Sequence, residues 1–217
     1  SYIKSFNKFL TKKVKLNSKS KILDIGCGRG KILGTLSSKL RLEKKPLGID
    51  IKNHKDKDKR IKFKKINATD FFSKNKNKFD LILIKQTIHL LNMNEIKKLL
   101  ILLKKNLSQN GKILIFTLDT NKNELPTFEL MKTKLIKSLE RDKKILKLIT
   151  KLYTYKKSKF IYKVNIKKKK YLKMIQNRYM STLLSLTVEE LQKGINEIDS
   201  QYKDNIKFYD KLICLTL

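Results

Sequence analysis

Cysteine is nearly absent from this chain, at two residues in 217. Cys27 and Cys214 lie far apart, and neither belongs to a Cys-x-x-Cys pair or to a cluster of cysteine and histidine. The sequence therefore predicts no disulfide framework, no zinc site and no other bound metal. Because a chain without disulfides is typical of a reducing compartment, we expect it in the cytoplasm.

Long apolar runs, proline and glycine are also scarce. The longest unbroken aliphatic run, 99–103, is far shorter than the ~20 residues that a membrane-spanning helix needs, so no membrane partner is predicted. The chain has two prolines and seven glycines, while 40% of its residues are hydrophobic. This composition is typical of a fully packed chain, and the length suits a single domain over residues 1–217.

Arginine accounts for only five of the 53 basic residues, although the formal net charge is +34. Such a charge attracts polyanions, which makes a nucleic-acid partner possible. Proteins that hold phosphates or bases in a fixed geometry favour the planar guanidinium of arginine, whereas lysine is a solvated point charge. The lysine excess also matches the codon bias of an AT-rich coding sequence. A small-molecule partner is therefore favoured, with nucleic acid as the alternative.

The first half of the chain alternates apolar runs with helical patterns. Residues 30–40 and 94–106 have apolar residues at helical spacing, and Asn94 is the expected N-cap of the second helix. The runs that predict strands, mostly buried on both faces, are 21–25, 46–50, 61–66, 80–84 and 112–118. Alternating strands and helices form βαβ units, so the predicted class is α/β with a parallel sheet and helices on both faces.

The second half of the chain is more helical. It predicts a helix over roughly 124–152, a strand at 159–166, a helical region at 168–203 with a capping box of Thr187 and Glu190, and a last strand at 206–217. Region 168–203 is therefore expected to be a helical insertion before the last strand. The single domain divides into an N-terminal helix at 1–15, a core at 20–120 and a C-terminal part at 121–217.

The stretch ILDIGCGRGK, residues 22–31, places three glycines between a predicted strand and a predicted helix. Glycine allows the backbone to approach a ligand closely, and the helix N-terminus adds exposed N–H groups. The dinucleotide fingerprint G-x-G-x-x-G would need its third glycine at Lys31, which disfavours NAD. The next predicted strand ends in Asp50, where a carboxylate can accept hydrogen bonds from both ribose hydroxyls. Other cofactors that contain adenosine therefore fit.

These motifs resemble those of the class I S-adenosylmethionine-dependent methyltransferases, of the small-molecule type. The resemblance covers residues 20–118, in the order of the family, and rests on the segments ILDIGCGRGKILGTL, LGIDI, INATDF, FDLILIKQTIHLL and LLKKNLSQNGKILIFTL. It implies a Rossmann-like, doubly wound, mostly parallel sheet of seven strands. It also implies S-adenosylmethionine as cofactor and S-adenosylhomocysteine as product.

The resemblance also assigns cofactor-binding residues along the core. It implies that Asp24 and the backbone of Gly26, Cys27, Gly28 and Gly30 face the methionine part. Cysteine between these glycines is common in the family and implies no nucleophile. The remaining positions are Asp50 at the ribose, Ile51 against adenine, Asn67 with neighbouring Ala68 at the adenine amino group, Asp70 as the alternative there, and Lys85 through its main-chain carbonyl.

Residues for the acceptor side are fewer. His89, just after the fourth predicted strand, is a candidate general base if the acceptor must lose a proton, and a histidine packed for shape is the alternative. The acceptor site is expected at the N-terminal helix, with Tyr2, and at the insertion, with Arg178 and Tyr179. Arg178 suggests a bidentate carboxylate partner, either a substrate acid or an internal glutamate.

The favoured function is methyl transfer to a small, acidic or hydroxylated metabolite by in-line displacement. Two alternatives stay open: a methyltransferase of rRNA or tRNA, and a cofactor-binding subunit without catalysis. The acceptor atom and the oligomeric state are not predicted.

Overall fold

The computed structural model describes the whole chain, residues 1–217. The helices are α1 (Tyr2–Lys13), α2 (Lys31–Leu40), α3 (Ala68–Lys74), α4 (Met93–Lys105), α5 (Glu129–Leu152), α6 (Lys168–Gln176) and α7 (Val188–Gln201). The strands are β1 (Ile22–Ile25), β2 (Leu47–Asp50), β3 (Lys62–Lys65), β4 (Phe79–Lys85), β5 (Leu107–Leu118), β6 (Lys156–Lys167) and β7 (Asn205–Thr216). Short 3₁₀ helices lie at Ile88–Leu90 and Ser181–Leu183. None of the helices has the length and apolar character of a membrane-spanning segment.

All seven strands form one sheet, in the order β3-β2-β1-β4-β5-β7-β6. The pairs β3/β2, β2/β1, β1/β4 and β4/β5 are parallel. β7 runs antiparallel to β5, since Ile113 and Leu217 exchange both main-chain hydrogen bonds. The strand order reverses between β1 and β4, and ligands of such sheets bind at the carboxyl ends of the strands at this reversal. The predicted Rossmann-like class, with its helical insertion before the last strand, is confirmed.

Several local predictions need correction. The N-cap of α4 is Asn92 rather than Asn94, because Asn92 accepts from the main-chain N–H of Glu95 while the Glu95 carboxylate accepts from that of Asn92. β3 is an edge strand whose three lysines are exposed, so it is not buried on both faces. Helix α3 was not predicted, since its seven residues are too few to show a clear apolar periodicity.

The chain forms two compact units by its internal contacts. The core unit comprises residues 1–117, 145–160 and 213–217, and the second unit comprises 118–144 and 161–212. The second unit has its own apolar cluster, which includes Phe128, Tyr171 and Ile198. A methyl group at Gly194 of α7 would lie 2.5 Å from the Phe128 ring, so glycine allows this close packing.

Within the core unit, strand alternation decides which side chains share a face of the sheet. Leu23 and Ile25 of β1 belong to the apolar cluster formed with α3 and α4. Because successive side chains of a strand point to opposite faces, Asp24 lies on the other face. The same alternation places Lys85 of β4 and Phe116 of β5 with Asp24, as Ile84 and Ile115 belong to the first cluster. On this second face, Phe6 of α1 packs against Phe116 with ring centroids 4.8 Å apart.

Candidate active site

The glycine turn between β1 and α2 has a backbone that only glycine adopts easily. Gly26, Gly28 and Gly30 have φ angles of 72°, 53° and 69°, all in the left-handed region. The N–H groups of Gly26 and Cys27 donate to the Ile49 carbonyl of β2 at 2.9 and 3.1 Å, which ties the turn to the sheet. Gly30 is the N-cap of α2 and has no side chain to cap it, so the helix presents main-chain N–H groups at this end.

The three glycines differ in what surrounds them. A methyl group at Gly26 would lie 2.2 Å from Thr87 Oγ1, and one at Gly30 would lie 2.2 Å from Ile61 Cδ1. A methyl group at Gly28 would have no atom within 4 Å. Gly26 and Gly30 are therefore required by packing within the protein, whereas Gly28 borders open space. The turn is open to a ligand at Gly28.

Asp50 lies at the carboxyl end of β2, beside that open position. Its Oδ2 accepts from the Gly28 N–H at 2.8 Å, and its Oδ1 accepts from the Lys52 N–H at 2.9 Å. The carboxylate thus holds the glycine turn in place as well as being available to a ligand, because each oxygen has a further lone pair.

Asp24 is a buried carboxylate on β1, only 5% exposed. Burial raises its pKa from 3.8 to about 7; the Lys85 ammonium acts in the opposite direction, and the Asp50 carboxylate raises the pKa further. A buried carboxylate is costly unless it is paired, so a cationic group that approached Asp24 would stabilise its charged form.

Cys27 packs inward, and a methyl group at Gly48 of β2 would lie 2.6 Å from its Sγ. Burial, with the charges of Asp24 and Asp50, raises the pKa of its thiol to about 12. The thiol is neutral at physiological pH and is a poor nucleophile, as the resemblance implies.

The loop after β2 fixes one wall of the site. Arg60 makes a two-pronged ion pair with Asp58, with Nε to Oδ1 at 2.8 Å and Nη2 to Oδ2 at 2.7 Å, which holds the pKa of Asp58 at about 2. The Asp58 N–H donates to the Arg29 carbonyl of the glycine turn at 2.9 Å. The pair therefore positions Ile61, whose side chain meets Gly30.

The residues predicted for adenine lie on neighbouring segments of this edge. Ile51 is 60% exposed, an apolar side chain open to solvent directly after Asp50. Asn67 is the N-cap of α3: its Oδ1 accepts from the Asp70 N–H at 2.8 Å, and its Nδ2 donates to Asp70 Oδ2 at 2.6 Å. Both the oxygen and the nitrogen of the Asn67 side-chain amide thus have partners in α3. The neighbouring Ala68 is buried.

The carboxyl end of β4 lies against the glycine turn through the Thr87 contact with Gly26. Lys85, the last residue of β4, is half-buried, and its carbonyl accepts from Thr87 Oγ1 at 3.1 Å. His89 follows in the 3₁₀ helix Ile88–Leu90 and is half-buried. Gln86 has a φ of 52°, a conformation that costs a non-glycine residue energy and is often found at functional sites.

The three residues predicted for the acceptor lie in different units. In the core unit, Tyr2 of α1 stacks on Phe6 at a centroid distance of 6.1 Å. In the second unit, the Arg178 guanidinium donates to the Leu183 main-chain carbonyl. The Tyr179 hydroxyl lies 3.0 Å from that of Tyr171, and burial raises the pKa of Tyr179 to about 12. Their role toward an acceptor stays a prediction.

Sequence reasoning missed Gln86, Thr87 and Ile61 as residues that build the site. Only the strained backbone of Gln86 and the contacts with Gly26 and Gly30 reveal them. It also overlooked Arg60, which makes the two-pronged carboxylate pair expected of an arginine retained among lysines.

A family profile described as methyltransferase domain matches residues 16–179. The chain belongs to this family. Membership confirms the sequence prediction of an S-adenosylmethionine-dependent methyltransferase. Among curated proteins, none matches the sequence.

Solved structures share the fold of this methyltransferase at low identity. A protein described as a methyltransferase of an antibiotic biosynthesis pathway from Anabaena variabilis is 15% identical with a TM-score of 0.69, over 98% of this chain and 96% of that one. A methyltransferase from Thiobacillus denitrificans, in complex with S-adenosylhomocysteine, is 15% identical with a TM-score of 0.59, over 97% and 90%. The plantazolicin methyltransferase BpumL, in complex with a desmethylplantazolicin analogue and S-adenosylhomocysteine, is 20% identical with a TM-score of 0.52, over 99% and 82%.

Proposed function

We propose that this methyltransferase methylates a small acceptor molecule that is acidic or hydroxylated. The observation that carries the proposal is the end of β4, where two half-buried polar side chains flank Thr87, the residue that contacts the glycine turn: Lys85 is the last residue of the strand, and His89 lies in the 3₁₀ helix that follows. Two polar side chains this close to the glycine turn would suit one small polar molecule beside the cofactor site.

The cofactor would be held by residues of the core unit. Asp24 would receive the ammonium of the methionine part, because a cation there offsets the cost of the buried carboxylate. Gly28 would lie against the ligand, Asp50 would accept from the ribose hydroxyls, and Ile51 would cover the adenine. When bound, S-adenosylmethionine supplies an activated methyl group on a sulfonium sulfur.

The protein's tasks in this reaction are positioning, exclusion of water and, for a hydroxyl acceptor, removal of one proton. His89 would take that proton. Leu90 and Met93, which come soon after His89 in the chain and are 57% and 37% exposed, would provide apolar surface for the body of a small acceptor. A carboxylate acceptor loses no proton and would not need His89 as a base.

A small acceptor is favoured over RNA by the placement of the aromatic side chains. Recognition of single-stranded RNA uses rings on which bases stack. Here only two aromatic side chains, Tyr155 and Tyr209, are exposed, at 41% each. The Lys211 ammonium lies over the Tyr209 ring, 5.7 Å from its centroid, within the distance of a cation–π contact. The positive charge attracts RNA, but the surface provides few stacking positions.

The proposal is tested with isotopically labelled S-adenosylmethionine offered to the full chain with two pools, total RNA and an ultrafiltered metabolite extract. We expect label in the small-molecule pool, identified by mass spectrometry. Label confined to RNA would contradict the proposal. Binding of S-adenosylhomocysteine in calorimetry without label in either pool would instead support a cofactor-binding subunit.

A second prediction concerns His89. If the acceptor is a hydroxyl, replacing His89 by alanine is expected to lower kcat by about 100-fold or more, the usual contribution of a general base. Affinity for S-adenosylhomocysteine should stay unchanged. His89→Asn, which keeps a polar side chain of similar size, serves as the comparison: if asparagine restores turnover, His89 acts by packing and not as a base.

A further inference from the structure

The Lys85 side chain is held in a defined place at the end of β4. Its Nζ donates to Gln86 Oε1 at 2.9 Å and lies 5.4 Å from the centroid of the Tyr2 ring and 5.6 Å from that of Phe6. Both rings belong to α1, and Phe6 is fully buried. A long lysine side chain is ordinarily mobile in solvent, so these contacts fix a positive charge at this edge of the sheet.

Two observations place this charge beside the cofactor site. Lys85 lies on the same face of the sheet as Asp24, whose pKa it lowers. The residue two positions later, Thr87, contacts Gly26 of the glycine turn. Gln86, between them, keeps its strained backbone while its N–H donates to the Phe116 carbonyl at 2.8 Å and its side chain holds the lysine ammonium.

We propose that the Lys85 ammonium binds an acid group of the methyl acceptor, so that this enzyme selects small molecules that carry a carboxylate or a similar anion. The inference rests on the proposed function and names the side chain that chooses its substrate class. The sequence resemblance gives Lys85 a role mainly through its main-chain carbonyl.

The charges around the site favour an anionic acceptor. A sulfonium donor brings a positive charge to an edge where Lys85 already places another. The donor's own carboxylate belongs to its methionine part, whereas the acceptor must lie in line with the sulfonium, so a negative group on the acceptor would be attracted by the sulfonium and by the Lys85 ammonium together. A neutral acceptor would lack that attraction, and a cationic acceptor would be repelled by both charges.

The experiment uses a metabolite extract split by anion exchange into a retained, anionic fraction and an unretained fraction. With labelled S-adenosylmethionine, the native enzyme is expected to label the retained fraction. Lys85→Met keeps the length and apolar stem but removes the charge, and it should label that fraction about 10- to 100-fold more slowly, as expected for loss of a charged hydrogen bond. Lys85→Arg should keep most of the rate.

The matched control is Lys112→Met, which removes an exposed lysine from the same pair of strands, where Lys112 lies opposite Leu81. Its rate should equal that of the native enzyme.

Calorimetry with S-adenosylhomocysteine provides the second readout, in which Lys85→Met should bind as the native enzyme does. A weaker affinity would overturn the inference, since Lys85 would then serve the cofactor. Label in the unretained fraction alone, or an unchanged rate in Lys85→Met, would overturn it as well. If neither fraction is labelled although S-adenosylhomocysteine binds, it is the proposed function that fails.

Discussion

Replacing Asp24 by asparagine is expected to stabilise the free protein at pH 8 and to weaken its binding of S-adenosylmethionine. Asp24 is buried, and its pKa in the folded protein is about 7 compared with 3.8 for an ordinary aspartate. The folded state therefore holds a proton that the unfolded state releases near pH 4. The contribution of the Asp24 carboxyl to the free energy of unfolding is therefore fully present below about pH 4 and is lost as pH rises through about 7.

The size of this effect follows from the pKa difference of about 3 units, which corresponds to as much as about 4 kcal/mol at 1.36 kcal/mol per unit. Asparagine has nearly the same shape and carries no charge, so the gain in the free energy of unfolding should appear at pH 8 and vanish near pH 4. Urea unfolding of both proteins at the two pH values measures it. Equal stability of the two proteins at pH 8 would contradict the raised pKa of the buried Asp24 carboxyl.

Affinity should change in the opposite direction. The loss of a charge-assisted contact with the cofactor ammonium predicts binding weaker by about 10- to 100-fold for Asp24→Asn. In the native protein, affinity should rise as pH increases through about 7, because the charged carboxylate is the binding form. Calorimetry with S-adenosylhomocysteine at pH 6 and 8 checks both statements. An Asn variant that binds as tightly as the native protein would remove Asp24 from the cofactor site.

The second large effect is expected for Asp50→Ala. Its carboxylate accepts from the N–H groups of Gly28 and Lys52 and is the proposed acceptor for the ribose hydroxyls. The substitution removes two ribose hydrogen bonds and releases the glycine turn, so affinity for S-adenosylhomocysteine should fall by about 100-fold or more. The fold should persist with a loss of about 1–2 kcal/mol, because the remaining turn contacts to Ile49 are unaffected.

Asp50→Asn separates the two roles of this residue. Its amide has only one acceptor oxygen, and its NH₂ group would face a main-chain N–H, so an intermediate loss of affinity is expected. Asp56→Asn is the matched control. Asp56 lies in the loop after β2, and its exposed carboxylate pairs with the Arg29 guanidinium at 2.8 Å. Exposed ion pairs contribute little, and its affinity should be close to native. If Asp50→Ala binds as the control does, the ribose assignment is wrong.

The fold could be predicted from sequence to a large extent because its signals are local. Buried parallel strands are short apolar runs, and the helices between them show their period directly, so the α/β class followed from the pattern alone. What was missed lacks such signals: α3 is short, and the lysines of β3 alternate with too few apolar residues to show that the strand lies at an edge. The N-cap of α4 was misplaced by two residues, although Asn92 stands three residues before Glu95, the same capping-box spacing that correctly placed Thr187 before Glu190.

The sequence by itself determined the glycine turn, the acidic residue at the end of β2 and the family resemblance, because each depends on residues close together in the chain. Only the tertiary structure decided that Gly28 is the glycine open to a ligand and that Asp50 also holds the turn. It alone brought the Lys85 ammonium under the rings of Tyr2 and Phe6, more than 75 positions away. Such features depend on contacts between distant segments, which hydrophobic periodicity and motif spacing do not encode.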